Sequence, residues 1–318
     1  MAPHFNHCPS DFNARYRLKE RLGGGADGTV YRAEHKASGC AFAAKIMLPR
    51  TRTPGNNVLH EVHINQQLLL SKSRPSDHHI VRFEWWFEAA SPGKQVVLLF
   101  EHCALGTLND YVTEKYGGHS CKCNAPPEYL VRRFFAQLLE ALVFLHEPPQ
   151  GVGRGPVVHR DIKPSNILVV PGRDGAAWPP SVKLCDFGGA LEAGRPSSGL
   201  LGVFTPGYVA PEVEWPPSEE ACKSYVHPAL DVYGVGASIY FVISRKTPRV
   251  PMCSVAPGGV TSESYSKDLW CVLGGALMRS VGERWKVRES LDALENGRSD
   301  CNADALAQRL IEEAEVDG

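Results

Sequence analysis

With 318 residues, 43% of them hydrophobic and 22% charged, the chain has the make-up of a soluble globular protein with room for one large or two ordinary domains. A formal net charge of −1 removes any bulk electrostatic reason to expect nucleic acid or an anionic membrane as partner. The opening MAPHFNHCPS lacks a basic start followed by an apolar run, no apolar stretch is long enough to span a bilayer, and ten cysteines are too sparse for a disulfide scaffold. Reduced thiols and a cytoplasmic or nuclear location are therefore expected.

Residues 1 to about 15 show no periodicity and are expected to form an irregular leader. Tyr16 to Leu22, Thr29 to Ala33 and Ala41 to Met47 follow as short strands whose order fits an antiparallel sheet. Between the first two lies Gly23-Gly24-Gly25-Ala26-Asp27-Gly28-Thr29-Val30, a G-x-G-x-x-G-x-V pattern. Glycine lets backbone amides approach phosphate oxygens, but a glycine-rich hairpin turn accounts for the pattern equally well. No acidic ribose ligand on a following helix supports a dinucleotide site.

Lys45 sits in the apolar strand Ala43-Ala44-Lys45-Ile46, as an exposed strand lysine or as a cation for nucleotide phosphates. The second role needs a carboxylate partner, and Glu61 on the helix expected over His60 to Leu70 is the first acidic residue after Met47. Ile80 to Phe87 and Gln95 to Phe100 return to strand character, and Glu101 to Thr107 is a polar connector that reads as a domain hinge. His119, Cys121 and Cys123 cluster tightly, yet four metal ligands cannot be named, so a solvated loop is the expectation.

From Pro127 to His146 the series Leu130, Phe134, Phe135, Leu138, Leu139, Leu142, Leu145 recurs at three and four residues, the strongest helical signal in the chain, and Pro148 ends it. Short strands are expected at 157 to 158, 167 to 170 and 182 to 185, and helices near 229 to 244, 266 to 279, 287 to 294 and 302 to 315. Pro/Gly-rich insertions occupy 147 to 156, 171 to 181 and 249 to 265.

The most specific segment is Val158-His159-Arg160-Asp161-Ile162-Lys163-Pro164-Ser165-Asn166-Ile167-Leu168. Phosphoryl transfer to a hydroxyl needs a base or orienting carboxylate, a cation for the migrating group and a neutral oxygen donor for metal. Asp161, Lys163 and Asn166 are those three types within one turn. Asp186-Phe187-Gly188 then delivers a second carboxylate at the end of the apolar strand Val182 to Cys185.

Together these motifs resemble the eukaryotic protein kinases, serine/threonine type, from Leu22 to about Leu294. Ala210-Pro211-Glu212, the preceding Thr205-Pro206-Gly207-Tyr208 and Asp231-Val232-Tyr233-Gly234-Val235-Gly236 extend the resemblance. It implies a bilobal α+β fold, with a β-rich N-lobe of about 16 to 100 carrying one regulatory helix, a hinge of about 101 to 106 and a helical C-lobe from 107 to 318. It implies ATP bound by Leu22, the glycine segment through Val30, Ala43, Lys45, Glu61, Phe100 as gatekeeper, Glu101, Cys103, Leu168 and Asp186.

By the same resemblance Asp161 is the catalytic base, Lys163 the γ-phosphate stabiliser, and Asn166 and Asp186 the ligands of Mg2+, for which Mn2+ could substitute. Glu212 pairs with Arg284, and Asp231 braces the catalytic loop from the centre of a buried helix. Arg160 resembles the arginine that holds a phosphorylated activation segment, for which Ser197 and Ser198 are candidate acceptors of an upstream kinase or else simply polar loop residues, and Thr205 is expected to position substrate. The expected partners are proteins with Ser/Thr acceptors, not nucleic acid or a membrane. Asn65 stands where the family packs an aliphatic residue between the lobes, Ser165 where basophilic members carry glutamate, and Gly234 where serine is commoner. Cys185 resembles the thiol of kinases that react with covalent ATP-site ligands, or is a buried inert thiol. A catalytically weak scaffold on the same fold is the alternative.

Overall fold

The structure, a computed structural model, describes residues 12–25, 28–47, 58–69, 75–88, 95–117, 125–172, 179–193, 205–214, 226–246 and 265–297. Its small lobe opens with helical turn α1 (Phe12–Arg15), then strands β1 (Tyr16–Gly25), β2 (Gly28–His35) and β3 (Ala41–Met47), helix α2 (Val58–Leu69), and strands β4 (Phe83–Glu88) and β5 (Val96–Glu101). The five strands form an antiparallel sheet in the order β1-β2-β3-β5-β4.

Strand alternation sorts the sheet into two faces. Ala44 lies opposite Leu99 and joins Ala33, Phe87 and Val97 on one face. Lys45 lies opposite Leu98, whose face packs with Met47, Phe83 and Val96 against Val62 of α2. The leader is not irregular throughout. Phe12 is buried, stacks on Tyr16 at 5.2 Å and meets Phe87 edge-on at 5.6 Å, and this anchorage makes its last four residues helical.

The larger lobe comprises α3 (Leu108–Tyr116), α4 (Glu128–His146), β6 (Val157–Val158), β7 (Ile167–Val170), β8 (Ser181–Leu184), β9 (Leu191–Glu192), α5 (Pro211–Glu214), α6 (Ala229–Ser244), α7 (Lys267–Ala276) and α8 (Val287–Asn296). The apolar series of α4 is fully buried as its period requires. Helix α6 is buried on every side, so it forms the axis around which this lobe packs. The β6–β9 and β7–β8 ladders present the loops between them at the inter-lobe cleft.

Several expectations shift. The strand expected from Ile80 starts only at Phe83, because Ile80 instead makes an isolated parallel bridge to Leu184 in β8. Helix α3, which no expectation covered, is N-capped by the Thr107 side chain, which accepts from Asp110 N. The helices expected at 266 to 279 and 287 to 294 span Lys267–Ala276 and Val287–Asn296, and that at 302 to 315 lies outside the described residues. Cys271, buried in α7, is disulfide-bonded, against the expectation of reduced thiols throughout. A compartment argument fixes the redox default of a chain, not the pairing that packing brings about. The insertion 147 to 156 closes off the end of α4. Within it Arg154 folds back and donates to Phe144 O at 2.7 Å and Leu145 O at 3.3 Å, satisfying terminal carbonyls of that helix.

The lobes are pinned at the rear of the cleft. Leu184 N donates to His79 O at 2.8 Å and Val81 N to Leu184 O at 2.9 Å. The Glu101 carboxylate accepts from Arg82 N at 2.7 Å on the small-lobe side and from Lys183 Nζ at 2.6 Å on the other.

Candidate active site

The β1–β2 hairpin brings Gly23–Gly25 and Gly28–Val30 over the cleft, while Ala26 and Asp27 lie outside the described residues. Gly28 has φ of 153°, and a Cβ there would meet Ile46 O at 2.5 Å, so this position admits only glycine. Leu22, at the rim, is 46% exposed. Val30 faces Lys45 across the ladder, and Ala43 pairs with Phe100, whose ring packs on Phe83 at 5.5 Å. Past Glu101 the chain turns through buried Cys103, and Leu168 in β7 bridges to Thr107. The described members of the expected nucleotide set thus lie on β1, β2, β3, α2, β5 and its following turn, β7 and the turn at Asp186.

Lys45 is the electrostatic centre. Its Nζ donates to Glu61 Oε1 and Oε2 at 2.9 and 2.8 Å and to Asp186 Oδ1 at 2.7 Å. Burial alone would lower its pKa, but the two carboxylates outweigh burial and hold it above the ordinary lysine value. Burial alone would raise Asp186, and Lys45 reverses that too, holding the carboxyl below its usual range. Glu61 is almost fully buried, whereas the Asp186 side chain is 34% exposed and faces the cleft.

The loop after β6 assembles a second cluster. Asp161 Oδ2 accepts from Asn166 Nδ2 at 2.9 Å and lies 2.8 Å from Lys163 Nζ. Thr205 Oγ1 donates to Asp161 Oδ1 at 3.2 Å and accepts from Lys163 Nζ at 2.8 Å. Ser165 is exposed on the same turn, and Ser197 and Ser198 lie outside the described residues, as do His119, Cys121 and Cys123.

Asp231 holds this loop from the first turn of α6, not from the helix centre expected from sequence. There its carboxylate can accept from the crossing backbone: His159 N donates to Oδ2 at 2.7 Å and Arg160 N to Oδ1 at 2.8 Å. Arg160 takes a left-handed φ of 72°, a conformation that a non-glycine residue keeps only when its surroundings impose it. His159 donates Nε2–H to Cys185 O at 3.0 Å and packs on Phe187 at 4.9 Å, joining the loop to the Asp186 turn. Asp186 also has left-handed φ, 67°.

Cys185 donates its thiol to Asn166 O at 3.3 Å, and burial pushes its pKa well above the usual thiol value. The inert thiol is the reading that this hydrogen bond and raised pKa favour, with the residue half-buried. Arg284 forks onto Glu212 at 2.7 and 2.9 Å, close behind Ala210-Pro211. Asn65 is 3% exposed and donates Nδ2–H to Glu61 O at 2.9 Å, an intrahelical bond. Gly234 lets α6 approach the loop so closely that a Cβ would stand 3.0 Å from Ile162 Cβ.

Two side chains that sequence reasoning passed over belong to this framework. His146, at the end of α4, donates Nε2–H to Asp231 Oδ2 at 2.8 Å, and Lys183 pairs with Glu101 at the hinge. Neither has a local sequence signal; the partners are 85 and 82 residues away.

The family described as "Protein kinase domain" matches residues 16–252. Among similar proteins are the liver/testis phosphorylase b kinase gamma catalytic chain of Mus musculus, 30% identical over 75% of this chain and 53% of that protein, and mouse ribosomal protein S6 kinase alpha-6, 31% identical over 76% of this chain and 27% of that one. The probable serine/threonine-protein kinase zyg-1 of Caenorhabditis elegans is 29% identical over 78% of this chain and 30% of its own length. The chain thus spans about half the phosphorylase kinase subunit (53%) and less of the other two. Among the described residues, no helix is long and apolar enough to cross a membrane.

Proposed function

Because this chain belongs to the protein kinase family, we propose that it transfers the γ-phosphoryl group of ATP to serine or threonine hydroxyls of proteins. The observation that carries the reading is the simultaneous engagement of Lys45 by Glu61 and Asp186 at 2.7 to 2.9 Å. A buried cation already held in place by Glu61 is positioned for phosphate, whose oxygens would take over the hydrogen now donated to Asp186.

In this reading Lys45 holds the α- and β-phosphates, and Glu61 keeps its ammonium in place. Asp161 orients the acceptor hydroxyl and takes its proton. Its carboxylate is fixed by Asn166, Lys163 and Thr205, which leaves little rotamer freedom to lose on reaction. Lys163 lies beside it to neutralise the migrating phosphoryl group, and Thr205, bonded to both, marks where an acceptor hydroxyl is guided.

The donor set suits a hard divalent cation. Asn166 spends its amide hydrogens on Asp161 O and Oδ2, leaving its carbonyl oxygen as acceptor, and the partly exposed Asp186 carboxylate supplies a second hard oxygen. Magnesium, or manganese in its place, would neutralise triphosphate charge when held by these two residues. Dependence on ATP supports a cytoplasmic or nuclear setting.

The test is incubation of purified protein with labelled ATP, magnesium and a degenerate peptide library, alongside Asp161→Asn and Lys45→Met. Label on Ser/Thr peptides, absent from both variants, is expected. No transfer above those controls, with or without prior phosphorylation by another kinase, would sink the reading and leave a scaffold.

A further inference from the structure

His60 precedes the Lys45 partner Glu61 on α2, and its Nε2 donates to Ala190 O at 2.6 Å across 130 residues of sequence. Ala190 is itself immobilised. Its N–H closes the turn onto Phe187 O at 3.1 Å, and the next residue, Leu191, pairs with Val158 in the β6–β9 ladder, directly before His159. Ala193 N adds a bond to Pro156 O at 2.8 Å. The carbonyl that His60 grips therefore belongs to a hydrogen-bonded frame continuous with the catalytic loop. The preceding carbonyl, Gly189 O, accepts from Arg160 Nη1 at 3.4 Å, so consecutive carbonyls after Asp186 are held by one side chain from each lobe.

We propose that His60 is a positioning residue that straps α2 to the segment after Asp186 and so holds Glu61 on Lys45 without any phosphate on the chain; this rests on the kinase reading above. The argument is one of leverage. Glu61 meets Lys45 at 2.8 to 2.9 Å, and a shift of α2 by about 1 Å takes both contacts beyond hydrogen-bonding range. Further along the helix, Ile64 and Leu68 pack into the large-lobe core with Phe187, while Asn65 turns its amide back onto its own helix. Apolar packing tolerates sliding, whereas a short hydrogen bond to a fixed carbonyl sets the helix's rotation and height at the turn where Glu61 sits. Neutral Nε2–H imidazole and imidazolium both donate to a carbonyl, so the strap holds in either charge state.

The test uses phosphatase-treated full chain with His60→Ala, His60→Leu and His60→Gln, the last retaining an amide donor. Phosphate-free wild type is expected to transfer phosphate. Ala and Leu should each lower kcat/KM for ATP by about tenfold, the effect expected from one lost transition-state-aligning hydrogen bond, while Gln restores much of it. Hydrogen exchange of α2 amides should accelerate in Ala and Leu but not in Gln, with little change in melting temperature. Unchanged kcat/KM and unchanged α2 exchange in Ala and Leu would overturn the strap, as would Gln behaving like Ala. Wild type inert even after phosphorylation would refute the kinase reading instead, and the exchange measurement would still decide the strap.

Discussion

Replacing Asp231 by alanine tests whether one buried carboxylate sets the shape of the catalytic loop. Asp231 is 1% exposed and accepts from His159 N, Arg160 N and His146 Nε2 at 2.7 to 2.8 Å. Each buried donor left unsatisfied costs about 1–3 kcal/mol, so three suggest a loss of about 3–6 kcal/mol once some water enters the gap. Release of Arg160 from its left-handed φ returns about 1 kcal/mol of this, but by letting the loop relax away from its working shape. Asp231→Asn keeps a single carbonyl oxygen for two amides and should cost about half as much. Burial alone would raise the Asp231 pKa, but the His146 bond, with His159 and the Arg160 amide, brings it below the ordinary 3.8. A depressed carboxyl contributes stability above its unfolded value and loses it as pH falls through the folded one, so the wild type should show an acid-unfolding component below about pH 4 that Asn lacks. Urea denaturation gives the free energies, and kcat with ATP and a peptide is read where each variant is still folded. If kcat per folded molecule stays within about twofold of wild type while stability falls by several kcal/mol, Asp231 supports the fold but does not shape the loop, and the reasoning fails.

Asn65→Leu should raise the melting temperature and basal turnover, because Glu61 O keeps its helical backbone partner and the buried position gains apolar packing worth about 1 kcal/mol; a clear drop in melting temperature would contradict this. Glu212→Gln leaves the fully buried Arg284 side chain without its bidentate carboxylate and should cost about 2–4 kcal/mol by urea titration, with 1 M salt recovering little of it. Iodoacetamide at pH 7.5 should label exposed Cys40 far faster than Cys103, whose thiol burial pushes up to about 12, or Cys185, likewise raised mainly by burial. Peptide mapping by mass spectrometry reads the order, and equal rates would show that the two cleft thiols are not held protonated.

Much of the site was legible because the chemistry constrains residue type and order together. Lys45, Glu61, Asp161, Asn166 and Asp186 follow from what phosphate, metal and a hydroxyl require, and the folded chain brings them into two adjoining clusters. The long helix at 128 to 146 was legible because a period of three and four residues is written directly in its leucines and phenylalanines. Helix α3 was not, since its stability comes from the Thr107 cap and from three buried residues, Leu108, Tyr111 and Val112, too few to set a period. Asp231 is recognisable in sequence, and the helix expected from 229 already places it in the first turn, a position that the centre-of-helix expectation overlooked. The pairings of Lys183, His146 and His60 were invisible for a different reason. Each joins a side chain to a distant partner through geometry that exists only after the elements carrying them have packed together, within the large lobe for His146 and across the lobes for Lys183 and His60.

The bonds between Leu184 and the chain at His79 and Val81 decide what can move. They tie residues 79–81 to the large lobe, although sequence order assigns them to the small one. Were the sheet to rotate against the large lobe, these bonds at the rear of the cleft would serve as the axle, and displacement would grow with distance from it. The described ends of the glycine hairpin would then move furthest. The hinge-side Glu101–Lys183 contact, close to the axle, need scarcely lengthen. In such a rotation, access to the cleft would be separated from the integrity of the joint, since the contacts that keep the two halves in register lie where displacement is smallest.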